Sequence, residues 1–178
     1  GAHDWFLAVS FPHDQLRILD YNRLVKDLNG LDAAAFVKAV GERFTVTPSA
    51  SARPPEPHTF GIYLDGAWKL LKAKPSTWPQ TAVGSLDVSI LQKNLLESVL
   101  GIEDPRTDRR IDFVGGIRGT AELEARVNGG GARVAFSMFP TQMTELMAIA
   151  DAGEIMPPKS TWFEPKLRSG LFLHLFDV

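Results

Sequence analysis

The chain contains no cysteine. Disulfides, thiolate metal sites, iron–sulfur clusters and cysteine nucleophiles are therefore excluded. Histidine is scarce: His3, His13, His58 and His174 lie far apart and in none of the spacings that hold a metal, so no metal site is expected. No apolar run approaches the ~20 residues that a membrane-spanning helix needs. The opening Gly1-Ala2-His3-Asp4-Trp5 lacks the basic and apolar regions of a secretion signal. A strong charge of one sign is missing too, since 19 basic and 21 acidic residues leave a net charge of -2. No global basic field collects nucleic acid or anionic lipid, although a local patch stays open. These absences fit a cytoplasmic location and argue against membrane and nucleic-acid partners. There is no Gly-x-Ser-x-Gly elbow, and no carboxylate pair whose spacing alone argues acid–base work.

What is present is an ordinary globular composition, 44% hydrophobic and 22% charged over 178 residues, enough for one domain with a full core. An apolar run, Trp5 to Phe11, begins almost at once, and suggests a fragment of a longer protein. That run reads as a mostly buried strand. Pro12-His13-Asp14 makes a turn, and Gln15 to Tyr21 alternates as the second strand of a hairpin. Asp32 is placed to cap a helix that runs to about Arg43, with Leu31 and Phe36 at the staple positions and Phe36, Val37, Val40 and Phe44 on one face. Thr45 to Thr47 reads as a short strand. The clearest hairpin is Thr59 to Leu64, Asp65-Gly66, Ala67 to Ala73, because Asp-Gly suits a two-residue turn with positive φ at both positions.

Asp87 reads as the cap of the next helix, with Leu86 and Leu91 as its staple. This helix buries Val88, Leu91, Leu95 and Val99 and ends at Gly101. Arg110 to Val114 is a short strand, Thr120 to Asn128 a helix and Arg133 to Phe139 an apolar strand. Thr141 is expected to cap a helix that runs to Asp151 and stops at Gly153. Ser160 to Pro165 and Gly170 to Phe176 read as extended. The sum is an α+β single domain, residues 1–178, with a mixed, largely antiparallel sheet and about four helices.

The segment from Asp151 to Leu173 carries the densest chemistry. Gly153-Glu154-Ile155-Met156-Pro157-Pro158-Lys159-Ser160 nearly fits a phosphate loop. Pro158, however, stands where the second glycine belongs and offers no N–H, and a helix precedes where a strand should. A Walker-type site is rejected. Lys159, Ser160, Thr161, Lys166 and Arg168 still follow one another on a short path. In an extended chain Lys159, Thr161 and Phe163 would share one face, and Lys159 and Thr161 could line a pocket for a carboxylate or phosphate. An edge strand kept soluble by lysines is the competing explanation. Val114 to Thr120 is a strand, a glycine turn and a helix start, where Arg118 could add charge to free N–H groups. The glycines are better explained by the tight turn alone. Arg23 and Lys26, after the first hairpin, could meet an anion or pair with Asp20 and Asp27 on the surface, each such pair contributing roughly 0–1 kcal/mol. The four methionines read as core fillers.

Ala150 to Asp177, ADAGEIMPPKSTWFEPKLRSGLFLHLFD, resembles the C-terminal signature of a bacterial family catalogued as domain of unknown function one-thousand-and-fifteen. The opening, WFLAVSFPHDQLRILDYNRLVKDLNGL, is similar to the middle of the same family. Members are about twice this length, and their N-terminal half carries a DGHHR-type motif. That half is often described as similar to the ParB/sulfiredoxin group, which includes kinases of free serine. The motif is absent here, so the resemblance implies the C-terminal half of such a protein, without its upstream chemistry. Members often show His-Arg where this chain has Asn22-Arg23; Arg23 is retained.

The resemblance implies a serine-kinase-like small-molecule phosphotransferase. This fragment would be inactive alone and hold no cofactor of its own, while the full-length protein would take ATP or ADP. Its contribution would be an anion-binding surface made of Lys159, Ser160, Thr161, Lys166, Arg23 and Arg118. The expected partners are a small anionic metabolite and the missing N-terminal half. The alternative is a non-catalytic binding or dimerisation module of a ParB-like protein, with the apolar runs Trp5 to Phe11 and Gly170 to Phe176 completed by a partner chain as in a homodimer.

Overall fold

The computed structural model describes residues 1, 4–10, 12–166, 168 and 170–175, with only the backbone of residue 13. Its centre is a six-stranded sheet of β2 (Tyr21–Val25), β3 (Phe44–Pro48), β4 (Thr59–Leu64), β5 (Ala67–Ala73), β6 (Ile111–Gly115) and β7 (Val134–Met138), ordered β3-β5-β4-β7-β2-β6. Every pairing between the described strands is antiparallel. A separate two-stranded sheet joins β1 (Arg17–Leu19) to β8 (Trp162–Glu164). Among the described residues four α-helices complete the α+β fold: α1 (Ala33–Arg43), α2 (Asp87–Leu91), α3 (Gly119–Asn128) and α4 (Met143–Asp151).

The expected hairpin of β4 and β5 forms because its turn chemistry agrees with the pleat. Asp65 and Gly66 have φ of 52° and 77°, and Leu64 faces Ala67 in register. Helix α1 starts where the sequence places it, with the Asp32 carboxylate accepting from the Ala35 N–H at 2.7 Å. Alternation along the strands divides the core. Val25, Ile62 and Phe136 join Phe36, Val40, Leu91 and Leu95 on one face of the sheet, whereas Leu24, Tyr63 and Ala135 pack with Leu123 of α3 on the other.

Several expectations are corrected. Residues 5–10 form no strand; Trp5, Phe6, Leu7 and Val9 are exposed, and the run's last residue, Phe11, lies outside the described residues. The partner of β1 is β8, some 145 positions away in sequence, and not the preceding run. No strand forms at residues 170–175 either, and Phe176 lies outside the described residues. Tyr21–Val25 is an inner strand between β6 and β7, because its backbone is paired on both sides. Asp87 does not cap its own helix: Leu86 holds the cap position, and the Asp87 carboxylate accepts from the His58 N–H at 2.7 Å. After α2 the chain continues as a π-helical stretch, Gln92–Glu97. Thr141 is not a cap, since Gln142 and Glu145 form a capping box at α4. The Thr141 hydroxyl instead donates to the Ser160 carbonyl at 2.9 Å.

Candidate functional site

Arg23 is the organising residue. It sits in β2, opposite Phe113 of β6 and Phe136 of β7, so alternation turns it toward the main core. It is 4% exposed. Its guanidinium donates from Nη1 to the Tyr21 carbonyl and from Nη2 to the Lys159 carbonyl, and its carbon lies 5.5 Å from the Phe113 ring centroid. No carboxylate pairs with it among the described residues. Burial pushes its pKa down to about 10, opposed by Tyr21, so it stays a cation at neutral pH. The surface pairing with Asp20 or Asp27 does not occur; Asp27 meets Arg110 at 3.5 Å.

A cleft of about 420 Å³ opens onto Arg23. One wall is helical: Gln92 and Leu96 of the π-helical stretch face it, with Val88 of α2. A π-turn is a departure from regular helix that is frequent at functional sites. Phe113, Pro157 and Pro158 also line it, and Glu103, Asp104, Pro105 and Arg106, all at least partly exposed, form its rim. A second cavity of about 280 Å³ shares Pro105, Arg106, Phe113 and Pro158 with the first and reaches Lys159.

Lys159 therefore lines the second cavity, though not by the predicted route. Its φ is 59°, left-handed, so the extended alternation of residues 159, 161 and 163 does not hold. The exposed ammonium lies 5.6 Å from the Tyr21 ring centroid and 5.9 Å from that of Phe113. Ser160 is buried and structural: its hydroxyl donates to the Pro157 carbonyl at 2.5 Å. Thr161 is half-buried and lines neither cavity. Lys166 lies over the Trp162 ring at 4.6 Å, outside both cavities. Arg118 is also outside them and approaches Glu122 within 3.8 Å on the helix surface.

Arg106, Asp104 and Phe113 carry no motif. The signal that could have found them is the run Asp104-Pro105-Arg106-Thr107-Asp108-Arg109-Arg110, five charges in seven residues beside a proline. Chemically, the cleft offers cationic donors to an anionic group and apolar walls to a carbon skeleton. The Arg106 guanidinium holds the Asp104 carboxyl below its usual range, which ill suits Asp104 to act as a base at neutral pH. Among the described residues no cluster of His, Asp and Glu is arranged to hold a metal ion.

Residues 1–89, half of the chain, match the family model described as "Protein of unknown function (DUF1015)". The protein belongs to that family. None of the curated proteins matches its sequence. Among solved structures it is similar to a free serine kinase in complex with AMP, with a TM-score of 0.51 and 15% identity over 85% of this chain and 55% of that one. A mutant free serine kinase in complex with ADP gives 0.50 and 16%, again over 85% and 55%. A conserved hypothetical protein from Pyrococcus furiosus gives 0.51 and 15%, over 83% of this chain and 56% of that one. At such identity the likeness is one of fold. The chain spans little more than half the length of these proteins. No described helix is long and apolar enough to cross a membrane.

Proposed function

We propose that this chain is the substrate-binding half of a small-molecule phosphotransferase of the serine-kinase kind, completed by an N-terminal half that supplies the catalytic groups. The observation that carries this reading is Arg23, a cation at 4% exposure with carbonyl partners and no described carboxylate, on the floor of a cleft of about 420 Å³. A buried charge without a counter-ion is costly, and a ligand carboxylate or phosphate would offset that cost. Lys159 adds a second cation at the neighbouring cavity, and Val88, Leu96, Phe113 and the two prolines hold the carbon skeleton. The fold likeness to kinases that bind AMP and ADP supports ATP or ADP as the nucleotide of the full-length protein. Calorimetric titration of phosphoserine, ATP and ADP into the full-length protein tests the reading. Heat with phosphoserine that disappears in Arg23→Met is expected; no heat with any ligand and no turnover overturns it.

A second reading, a non-catalytic or dimerisation module, is favoured by one observation. Arg17 pairs with Glu164, so the exposed apolar residues Trp5, Phe6 and Leu7 and the exposed Leu171, Phe172 and Leu173 belong to segments that leave the β1–β8 sheet at the same end. Apolar exposure of this kind marks docking surfaces. A monomer in light scattering of the full-length protein removes the homodimer.

A further inference from the structure

Arg106 stands at the rim of the Arg23 cleft and lines the Lys159 cavity as well. Its guanidinium is held by Asp104 in a two-pronged pair, Nε to Oδ1 at 3.0 Å and Nη2 to Oδ2 at 2.9 Å. Planar, two-point contact of this kind is how arginine also reads a ligand carboxylate or phosphate. Asp104 and Arg106 both line the larger cleft, together with Glu103, so the pair sits where a ligand anchored on Arg23 would extend.

We propose that Arg106 is a second anion-reading residue of this cleft and that Asp104 is its internal competitor, which a ligand oxyanion displaces. This rests on the reading of the cleft as an anion-binding substrate site. The exchange is inexpensive because the pair is exposed, 70% for the Arg106 side chain and 37% for Asp104; water screens such a pair and leaves it little net energy to lose. Arg106 is also free to turn, because nothing but Asp104 holds its guanidinium among the described contacts. Asp104 has a separate task in shaping the loop. Its Oδ1 accepts from the Arg106 N–H at 3.0 Å, and its carbonyl accepts from the N–H groups of Thr107 and Asp108 at 3.2 and 3.1 Å. Asparagine keeps the side-chain acceptor and removes the charge, so Asp104→Asn isolates the competition from the loop geometry.

The test uses inorganic phosphate and, separately, acetate, titrated at low salt. The proteins compared are the wild type, Asp104→Asn, Arg106→Gln, the two changes combined, and Arg23→Met. Phosphate affinity should rise about two- to fivefold in Asp104→Asn, fall several-fold in Arg106→Gln, and stay at the Arg106→Gln level in the double variant. A gain with phosphate alone assigns Arg106 to a phosphoryl group, and an equal gain with acetate assigns it to oxyanions in general. If Asp104→Asn leaves affinity unchanged or weaker while Arg23→Met abolishes it, the competition is overturned and the substrate-site reading stands. If Arg23→Met changes nothing, that reading falls as well, and no phosphate binding by either wild type or Asp104→Asn overturns both. Asp104→Ser, which also retains a side-chain acceptor, serves as the second variant should the asparagine protein fold poorly.

Discussion

The Lys159 carbonyl accepts a hydrogen bond from Nη2 of Arg23 at 3.1 Å, across 136 positions of sequence. One inner-strand guanidinium thereby fixes the Pro-Pro-Lys loop over the cleft that it also floors. The same loop is tied from its other side by Thr141, whose hydroxyl donates to the Ser160 carbonyl, and from within by Ser160, which donates to Pro157. The loop is held by side chains on backbone carbonyls, so its shape is independent of any charge on Lys159 itself.

Arg23→Met separates anchoring from binding. The variant loses two charged hydrogen bonds, to the Tyr21 and Lys159 carbonyls, each contributing about 1.5–3 kcal/mol. It also sheds the desolvation cost of a buried cation, and this gain offsets part of the loss when the replacement is apolar and of similar volume. Denaturant melts should shift by less than about 3 kcal/mol, because the two effects oppose each other, while amide exchange at residues 159–161 quickens. A loss well beyond that would make Arg23 chiefly a structural residue.

Lys159 stores backbone strain. At φ 59° a side chain with Cβ costs roughly 1–2 kcal/mol, and glycine escapes most of it. Lys159→Gly should therefore be more stable than Lys159→Ala by about 1 kcal/mol in chemical denaturation. Both variants lack the ammonium over Tyr21 and Phe113, so their difference isolates the strain, and both should bind phosphate more weakly than wild type.

Asp87 ties stability to pH. Burial pushes its carboxyl up from 3.8 to about 7, the His58 N–H opposes this, and the Glu145 charge adds to it. One of its oxygens, Oδ2, has no hydrogen-bond partner among the described residues. The folded state then holds this proton more tightly than the unfolded state does. Between pH 3.8 and about 7 the folded protein binds more protons, so this group's contribution to stability falls as pH rises through that window. The upper bound is on the order of 4 kcal/mol, because each tenfold change in proton affinity is worth about 1.36 kcal/mol. Asp87→Asn keeps an oxygen for the His58 N–H and should flatten the slope; melts across the window in both proteins check it.

Elements whose reasons are local were legible in the sequence. The Asp65-Gly66 turn and the Asp32 cap depend on residues within a few positions, and both appear as expected. The run Trp5 to Phe11 was not, because an apolar pattern says what can be buried and not what covers it; residues 5–9 are uncovered here. Strand β2 was hidden for the opposite reason. Asn22 and Arg23 look like surface residues, and their burial is made tolerable in part by long-range partners, the Lys159 carbonyl and the Met138 N–H, which donates to Asn22 at 2.9 Å. Lys159 is visible in the sequence as a cation but not in its true position, since its left-handed φ breaks the alternation of an extended chain. Arg106 lies in a loop, where charge has no periodicity to read.

Gly115 is the remaining handle on the loop, through β8. The Trp162 ring packs on the Gly115 backbone where a Cβ would overlap it, and it meets Tyr21 edge-on with centroids 5.3 Å apart. Gly115 has an ordinary φ of -64°, so Gly115→Ala introduces crowding without backbone strain. The added methyl must push Trp162 away, and with it the short pairing of β1 and β8. Overpacking of this sort costs about 1–3 kcal/mol. The loss should appear first as faster amide exchange at residues 162–164 and a red-shifted tryptophan emission, with β4 and β5 unaffected. Because the displaced strand follows directly on residues 157–161, phosphate affinity should fall as well. Trp162→Ala in the same background should restore much of the stability lost to crowding, since the clash is then removed. If Gly115→Ala melts like wild type with unchanged emission, Trp162 does not anchor β8 on that glycine.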